Sequence, residues 1–336
     1  MTGPLAVTAV DYHTAGEPFR IVSGGVPPLR GDTVLERRRD AAQRLDHLRR
    51  LLVNEPRGHA DMYGGFVTPP DDEGADLGVV FFHNDGYSTA CGHGTIALVT
   101  WALESGVVEA REGVTEVVVD VPSGRLRATA TVAGGRVSAV RFANVPSFVE
   151  ATDLAVPLGE EQVRVDVAFG GAFYAVLDAG AVGAAVTPEH LPALIGHGRA
   201  IKRAIEEQRR VVHPVVADLR DIYGVIFVDD TRREGGVLHQ RNVAVFADGE
   251  VDRSPTGSGV SARLALLDAS GALARGSVLE TAGIAGPVFL GRVTADAEVA
   301  GRPAVITEVE GSAYRTGTHE FVLDPADPLG TGFLLR

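Results

Sequence analysis

Cys91 is the only cysteine among 336 residues, and it stands where the sequence changes character. In the run ACGHGTIALVTWALESG, Gly92 and Gly94 flank His93, and from Thr95 the residues become apolar helix formers: Ile96, Ala97, Leu98, Val99, Trp101, Ala102 and Leu103. The spacing predicts a buried helix over Thr95–Ser105 with the thiol just ahead of its first turn. Free backbone N–H groups and the positive end of the helix dipole favour negative charge there. The thiol is therefore expected to ionise more readily than an ordinary one, and a carboxylate is expected to find donors waiting. A single cysteine is more often a small buried hydrophobe, so the rest of the chain must decide.

A related run occurs in the second half, VDRSPTGSGVSARLALLDASG. The interval from Cys91 to Gly106 equals that from Thr256 to Gly271, 15 positions in each case. Superposed, Gly92 and Gly94 fall on Gly257 and Gly259, Ala97 on Ala262, and Ser105–Gly106 on Ser270–Gly271. Two similar halves are implied, each sending one helix N-terminus towards a common cleft. Thr256 takes the place of a second Cys91.

The remaining composition narrows the chemistry. A hydrophobic share of 45% with 22% charged residues is ordinary for a globular protein of two domains. A net charge of -13 argues against nucleic acid or an anionic membrane surface as partner. One cysteine rules out an internal disulfide framework and any CxxC metal or redox site. Lys202 is the only lysine and lies in an amphipathic, solvated helical run without a phosphate loop, which argues against pyridoxal phosphate. Neither GxGxxG after a strand nor a Walker loop occurs, so no cofactor is expected. Glu55 and His59 lack further ligands at metal spacing, and no metal is expected. The first residues lack the basic start and long apolar core of a signal peptide, and no 18-residue apolar run exists, so the cytoplasm is the expected location.

The elements that must carry these residues follow from periodicity. Residues 5–23 read as two strands around Gly16, with a polar turn of His13, Thr14, Gly16, Glu17 and Pro18. Asp32 to Val53 reads as one exposed amphipathic helix capped near Asp32, with Arg37, Arg38 and Arg39 on its solvated face. Met62, Tyr63 and Phe66 lie in a strand, and 77–86 is a strand ending in a turn, which brings Phe81 or Phe82, and His83, near the thiol. Residues 107–142 form a meander, and strands continue to 185, with Gly170–Gly171 inside a strand as a bulge or a close backbone approach. Residues 191–213 are a second surface helix, and strands, a buried helix over Val260–Ser270 and further strands complete the chain. The fold class is α+β: two similar domains of mainly antiparallel strands, each wrapped around a central helix, with the active site in the cleft. The domains are 1–133 plus a C-terminal strand at about 312–336, and 134–311.

ACGHGTIA and DRSPTGSG, with NEPRGHADMYG and the DGY ahead of the cysteine motif, resemble the proline racemase family over nearly the whole chain. The resemblance implies the fold of the cofactor-independent epimerases such as diaminopimelate epimerase, a small imino-acid substrate, and a homodimer. It implies that Gly92 and His93 on one side, and Gly257 and Ser258 on the other, hold the substrate carboxylate through backbone N–H groups. Asp252 then binds the ring ammonium, and Tyr63, Phe81 and Phe246 line the pocket. Racemases and 4-hydroxyproline epimerases of the family carry cysteine at both positions, whereas Thr256 resembles the Cys/Thr pair of its trans-3-hydroxy-L-proline dehydratases. A threonine hydroxyl neither ionises readily near neutrality nor protonates carbon as a thiol does, so two-base inversion is expected to be crippled. The expectation is a hydro-lyase with Cys91 as proton acceptor, Thr256 opposite it, and the His93 imidazole and His83 as candidates for assisting the departing hydroxyl. Two alternatives stand beside it: an epimerase or racemase of proline or 4-hydroxyproline, and a non-catalytic imino-acid binding protein.

Overall fold

A computed structural model describes residues 5–335. The chain divides into two compact units, Met1–Val140 with Ser312–Arg336, and Arg141–Gly311.

The first unit contains β1 (Leu5–Thr14), β2 (Glu17–Gly24), α1 (Val34–Arg44), α2 (Asp46–Val53), β3 (Tyr63–Thr68), β4 (Leu77–His83), α3 (Gly92–Glu104), β5 (Gly113–Val121) and β6 (Gly124–Ala133). Its limit lies within β7 (Arg136–Ala143). The second contains β8 (Phe148–Leu158), β9 (Glu161–Phe169), β10 (Phe173–Asp178), α4 (Leu191–Gln208), β11 (Ile222–Glu234), β12 (Val237–Phe246), β13 (Glu250–Asp252), α5 (Gly257–Ala269), β14 (Leu279–Ala282), β15 (Val288–Val299) and β16 (Arg302–Gly311). β17 (Ala313–Leu323) returns to the first unit and pairs antiparallel with β1.

The internal repeat is visible in the strand pairings. β1–β2, β3–β4 and β5–β6 are antiparallel, while β2–β3 and β4–β5 are parallel. The second unit repeats this: β9–β10, β11–β12 and β14–β15 are antiparallel, while β10–β11 and β12–β14 are parallel. In each unit the helix that precedes the second parallel partner is the apolar one, α3 in one and α5 in the other. Every residue of α3 from Gly92 to Leu103 is buried, as are ten residues of α5. A helix apolar all round has no face to give to water, so the strands close about it. Full burial of Ile96, Leu98 and Val99 contributes about 1.5–3 kcal/mol each.

Both buried helices begin three residues earlier than propensity predicts, at Gly92 and Gly257. Packing overrides the low helix propensity of glycine here, because each first turn is too crowded for a side chain. Gly170–Gly171 occupies the bend joining β9 to β10 instead of a strand interior, but the close approach is real. A Cβ on Gly170 would lie 2.2 Å from Ser258 O and 2.6 Å from Ala262 N.

The stretch from Asp32 to Val53 is two helices. Thr33 is the N-cap, in a capping box with Glu36, and the chain turns at Leu45 (φ -118°, ψ 12°). Asp46 then opens α2, where a carboxylate complements a new N-terminus, and it accepts from Arg49 Nε at 2.6 Å. Of the arginine run only Arg39 is exposed as expected. Arg37 is buried and donates to the carbonyls of Gly31, Asp32 and Pro69 (3.0, 3.1 and 2.6 Å). Its guanidinium satisfies backbone groups that the α1 entry would otherwise bury unpaired. Among the described residues no helix is long and apolar enough to cross a membrane.

His213, between α4 and β11, rests on Phe148 and Phe169 with ring centroids 5.6 and 4.9 Å away. Its Nδ1 accepts from the N–H groups of Val215 and Val216 (3.2 and 3.1 Å). Burial first, and the charge of Arg302 second, hold its pKa below the ordinary histidine value. The unfolded chain takes up this proton below about pH 6.5 and the folded chain resists it, so the stability contribution is full above that value and is lost as pH falls towards the folded pKa. A urea midpoint is expected to be lower at about pH 5.5 than at about pH 7.5. His213→Asn, which keeps an acceptor but does not titrate, should narrow the difference. An equal difference in both proteins would assign the effect to another group.

Candidate active site

In the first unit the candidate residues gather at the start of α3. Cys91 is its N-cap in extended conformation (φ -153°, ψ 101°), and its sulfur accepts from Gly94 N at 3.3 Å. Thr95 N and Oγ1 both bond to Cys91 O (2.9 and 2.8 Å), so the residue is held through backbone and side chain together. The bond from a backbone N–H favours the thiolate, while burial at 6% exposure opposes it. The His93 ring lies against the sulfur, with Nε2 at 3.4 Å and Nδ1 at 3.6 Å. Near equidistance from two nitrogens separated by one carbon places Sγ off the direction of either N–H bond. The imidazole therefore packs on the sulfur more than it donates to it.

His93 is held by its neighbours. Thr14 Oγ1 donates to its carbonyl at 2.9 Å, and Tyr63 and Phe19 meet its ring edge-on at 5.0 and 5.8 Å. His83 packs on the far side of Tyr63 at 5.4 Å, and its Nδ1 accepts from Asp85 N at 3.3 Å. Phe81 touches Phe19 at 6.0 Å, so Phe19 is the phenylalanine directly against His93 and Gly94. Phe82 points the other way, into the core beneath α1 and α2.

The loop ahead of Cys91 is pinned by residues whose roles the sequence did not disclose. Arg38 donates to the carbonyls of Tyr87 and Ser88 (2.6 and 3.2 Å), and Arg49 to those of His83, at 2.7 Å, and Asn84. Asn84 accepts from Met62 N and donates to Val53 O, both at 2.8 Å, and Tyr63 hydrogen-bonds Ser88. These charge-assisted bonds fix a loop that has no regular ladder of its own.

In the second unit the candidate residues gather at the start of α5. Asp252 ends β13 opposite Ala244, is 4% exposed, and accepts from Ser254 N at 2.8 Å. Ser254 Oγ accepts from Thr256 N at 3.2 Å, and Asn242 Nδ2 donates to Pro255 O at 2.8 Å. This bracing holds Thr256 at φ 63°, ψ 91°, a left-handed conformation that costs a β-branched residue about 1–3 kcal/mol. Thr256 makes no side-chain cap, and its buried hydroxyl has no hydrogen-bond partner among the described residues. Each of these costs a further ~1 kcal/mol or more. Ser258 Oγ and Tyr174 OH are 2.7 Å apart; Tyr174 meets Tyr223 edge-on at 5.8 Å, and Phe246 stacks on Tyr223 at 5.4 Å.

Each unit thus brings its own predicted residues together: Cys91, Gly92, His93, Tyr63 and, behind them, Phe81 and His83 in the first; Asp252, Thr256, Gly257, Ser258 and Phe246 in the second. Thr14 belongs to the polar turn that the sequence offered as able to line a cleft, whereas Phe19, Arg38, Arg49, Ser254, Asn242 and Tyr174 carried no such expectation. Among the described residues no three of His, Cys, Asp and Glu converge as a metal-ligand set.

Two units of one topology, each with an apolar helix enclosed by strands and a conspicuous residue at its start, define the fold of the cofactor-independent racemases and epimerases. The chain belongs to the proline racemase family, which it matches over residues 9–334. It is 46% identical over 328 residues, 98% of each chain, to a protein from Bacillus cereus named trans-3-hydroxy-L-proline dehydratase. A protein from Burkholderia multivorans named 3-hydroxyproline 2-epimerase is 45% identical over 332 residues, again 98% of each. A hydroxyproline epimerase from Agrobacterium vitis, solved with trans-4-hydroxy-L-proline bound, superposes with a TM-score of 0.91 at 32% identity, covering 98% of this chain and 96% of that one.

Proposed function

We propose that the protein is a trans-3-hydroxy-L-proline dehydratase that removes water without a cofactor and yields Δ1-pyrroline-2-carboxylate. The observation that carries this reading is the difference between two corresponding helix starts. One bears a sulfur that already accepts an N–H bond; the other bears a hydroxyl that cannot ionise near neutrality. The names of several relatives at 45–46% identity support it.

The stereochemistry of the substrate requires only one base. In trans-3-hydroxy-L-proline the carboxylate and the 3-hydroxyl lie on opposite faces, and the Cα hydrogen opposes the carboxylate at its own carbon. Hydrogen and hydroxyl therefore share a face. Cys91 takes the Cα proton, the Cα–H electron pair forms the Cα–C3 double bond, and the C3–O bond breaks as the hydroxyl receives that proton from the Cys91 thiol on the same face and leaves as water. The enamine then tautomerises to the cyclic imine. Gly92 and His93 from one unit, and Gly257 and Ser258 from the other, stabilise the carboxylate as it gains charge, the electrostatic contribution that is usually largest. Asp252 holds the ring ammonium. Family resemblance extends the reading to a cytoplasmic homodimer, for which sedimentation at several protein concentrations is the test.

Incubation with trans-3-hydroxy-L-proline should release a cyclic imine, trapped by borohydride as proline. The relative named as an epimerase favours a second reading, inversion at Cα. Turnover in deuterated water separates them, since an epimerase leaves a deuterated, inverted hydroxyproline and forms no imine. Inversion as the main outcome would overturn the one-base mechanism.

A further inference from the structure

Thr256 is arranged in a way that packing does not explain. Threonine is a favoured N-cap, yet here the methyl and not the hydroxyl lies over the first turn: a Cβ built on Gly259 would meet Thr256 Cγ2 at 3.1 Å. The hydroxyl makes no cap bond, is buried in a residue only 6% exposed, and finds no partner among the described residues. The first helical bond runs from Val260 N to Thr256 O at 2.7 Å, so the N–H groups of Gly257, Ser258 and Gly259 have no intrahelical acceptor. A hydroxyl and a set of backbone donors are thereby held at one helix start, none serving another.

We infer that Thr256 Oγ1 donates a hydrogen bond to the substrate carboxylate, alongside the N–H groups that open α5. The inference rests on the imino-acid reading above and gives Thr256 a role that the loss of a second thiol does not supply. A helix N-terminus repels a cation, and Asp252 already offers the ammonium a carboxylate, so the acceptor at this point is an anion. The bond strengthens as proton loss at Cα loads charge onto the carboxylate, so it acts on turnover as well as on binding.

Thr256→Val keeps the shape and removes the donor. L-Proline, which has no 3-hydroxyl to lose, probes binding without reaction. The expected result by calorimetry is a Kd for L-proline raised about tenfold or more, with kcat/KM for trans-3-hydroxy-L-proline lowered about 100-fold and a Tm equal to or above that of the native protein. Thr256→Ser retains the hydroxyl but frees it to cap the helix, and should fall between the two. Unchanged affinity for L-proline in Thr256→Val would overturn the inference, and so would a Tm lowered by several degrees, which would make the hydroxyl structural. If the native protein binds L-proline but releases no imine, the dehydratase reading fails and the Kd ratio still decides this bond. If it binds no L-proline, the imino-acid reading fails and takes this assignment with it.

Discussion

Cys91→Ser is expected to lower kcat/KM by about 10³-fold or more while leaving the fold in place. The two effects separate because the sulfur does two jobs with different chemical demands. As N-cap it accepts from Gly94 N at 3.3 Å, and a serine oxygen does this at least as well, serine being among the preferred caps. As base it must exist as an anion near neutrality, and an alkoxide forms several orders of magnitude less readily than a thiolate. Thermal unfolding should accordingly shift by no more than a degree or two, and L-proline should still bind. Cys91→Ala should lose activity to the same extent and also about 1 kcal/mol of stability, because the cap goes with the base. Turnover in Cys91→Ser within tenfold of the native protein would show that the thiol is not the proton acceptor.

The two clusters differ in how far the sequence discloses them. Cys91 and Thr256 were legible because glycine, alanine and Ser–Gly recur at equal intervals after each, and a repeat that preserves spacing puts both residues at a helix start. The central helices were legible because nothing but burial accounts for a run apolar on every side. The helix break at Leu45 was not, since Leu45, Leu48, Leu51 and Leu52 continue a helical period through it and the turn depends on where Asp46 can open a new helix. The buried arginines were read as surface for a related reason. Arginine pattern alone does not tell a guanidinium in water from one that satisfies carbonyls of a distant loop, and the partners of Arg38 are 49 and 50 residues away. The left-handed backbone of Thr256 was likewise invisible, because it is imposed by Ser254 and Asn242 against the preference of the residue itself.

That contrast separates two kinds of helix start. Cys91 sits in an ordinary extended conformation with its side chain used by its own helix, whereas Thr256 sits in a strained one with its side chain withheld. The Cys91 sulfur is placed by local geometry, and the Thr256 hydroxyl by the surrounding loop. Changes in the loop of Ser254 and Asn242 therefore act on Thr256, while changes in the first turn of α3 act directly on the sulfur.

Gly94→Ala tests the latter, and propensity and packing disagree about it. Alanine in a helix is favoured over glycine by about 1 kcal/mol, so an isolated α3 would gain from the change. In the folded protein the new Cβ would lie 2.4 Å from Phe19 Cε2 and 2.7 Å from Cys91 Sγ. Phe19 is fully buried, with Tyr63, Phe81 and His93 around its ring, and cannot retreat. The sulfur and the cap must move, which breaks the Gly94 N–H bond to Sγ and displaces the proposed base. A displacement of this kind costs a reaction about 100-fold, and the overpacking costs about 1–3 kcal/mol of stability. The expected result is thus a kcat lowered about 100-fold with a modest fall in Tm, the opposite sign from helix propensity. Gly259→Ala is the internal comparison: its Cβ meets Ile226 Cδ1 at 2.5 Å, the end of a side chain that can yield, and Thr256 Cγ2 less closely, at 3.1 Å. It should retain more activity than Gly94→Ala, and equal losses in the two variants would mean that crowding at a helix start, and not displacement of the sulfur, sets the rate.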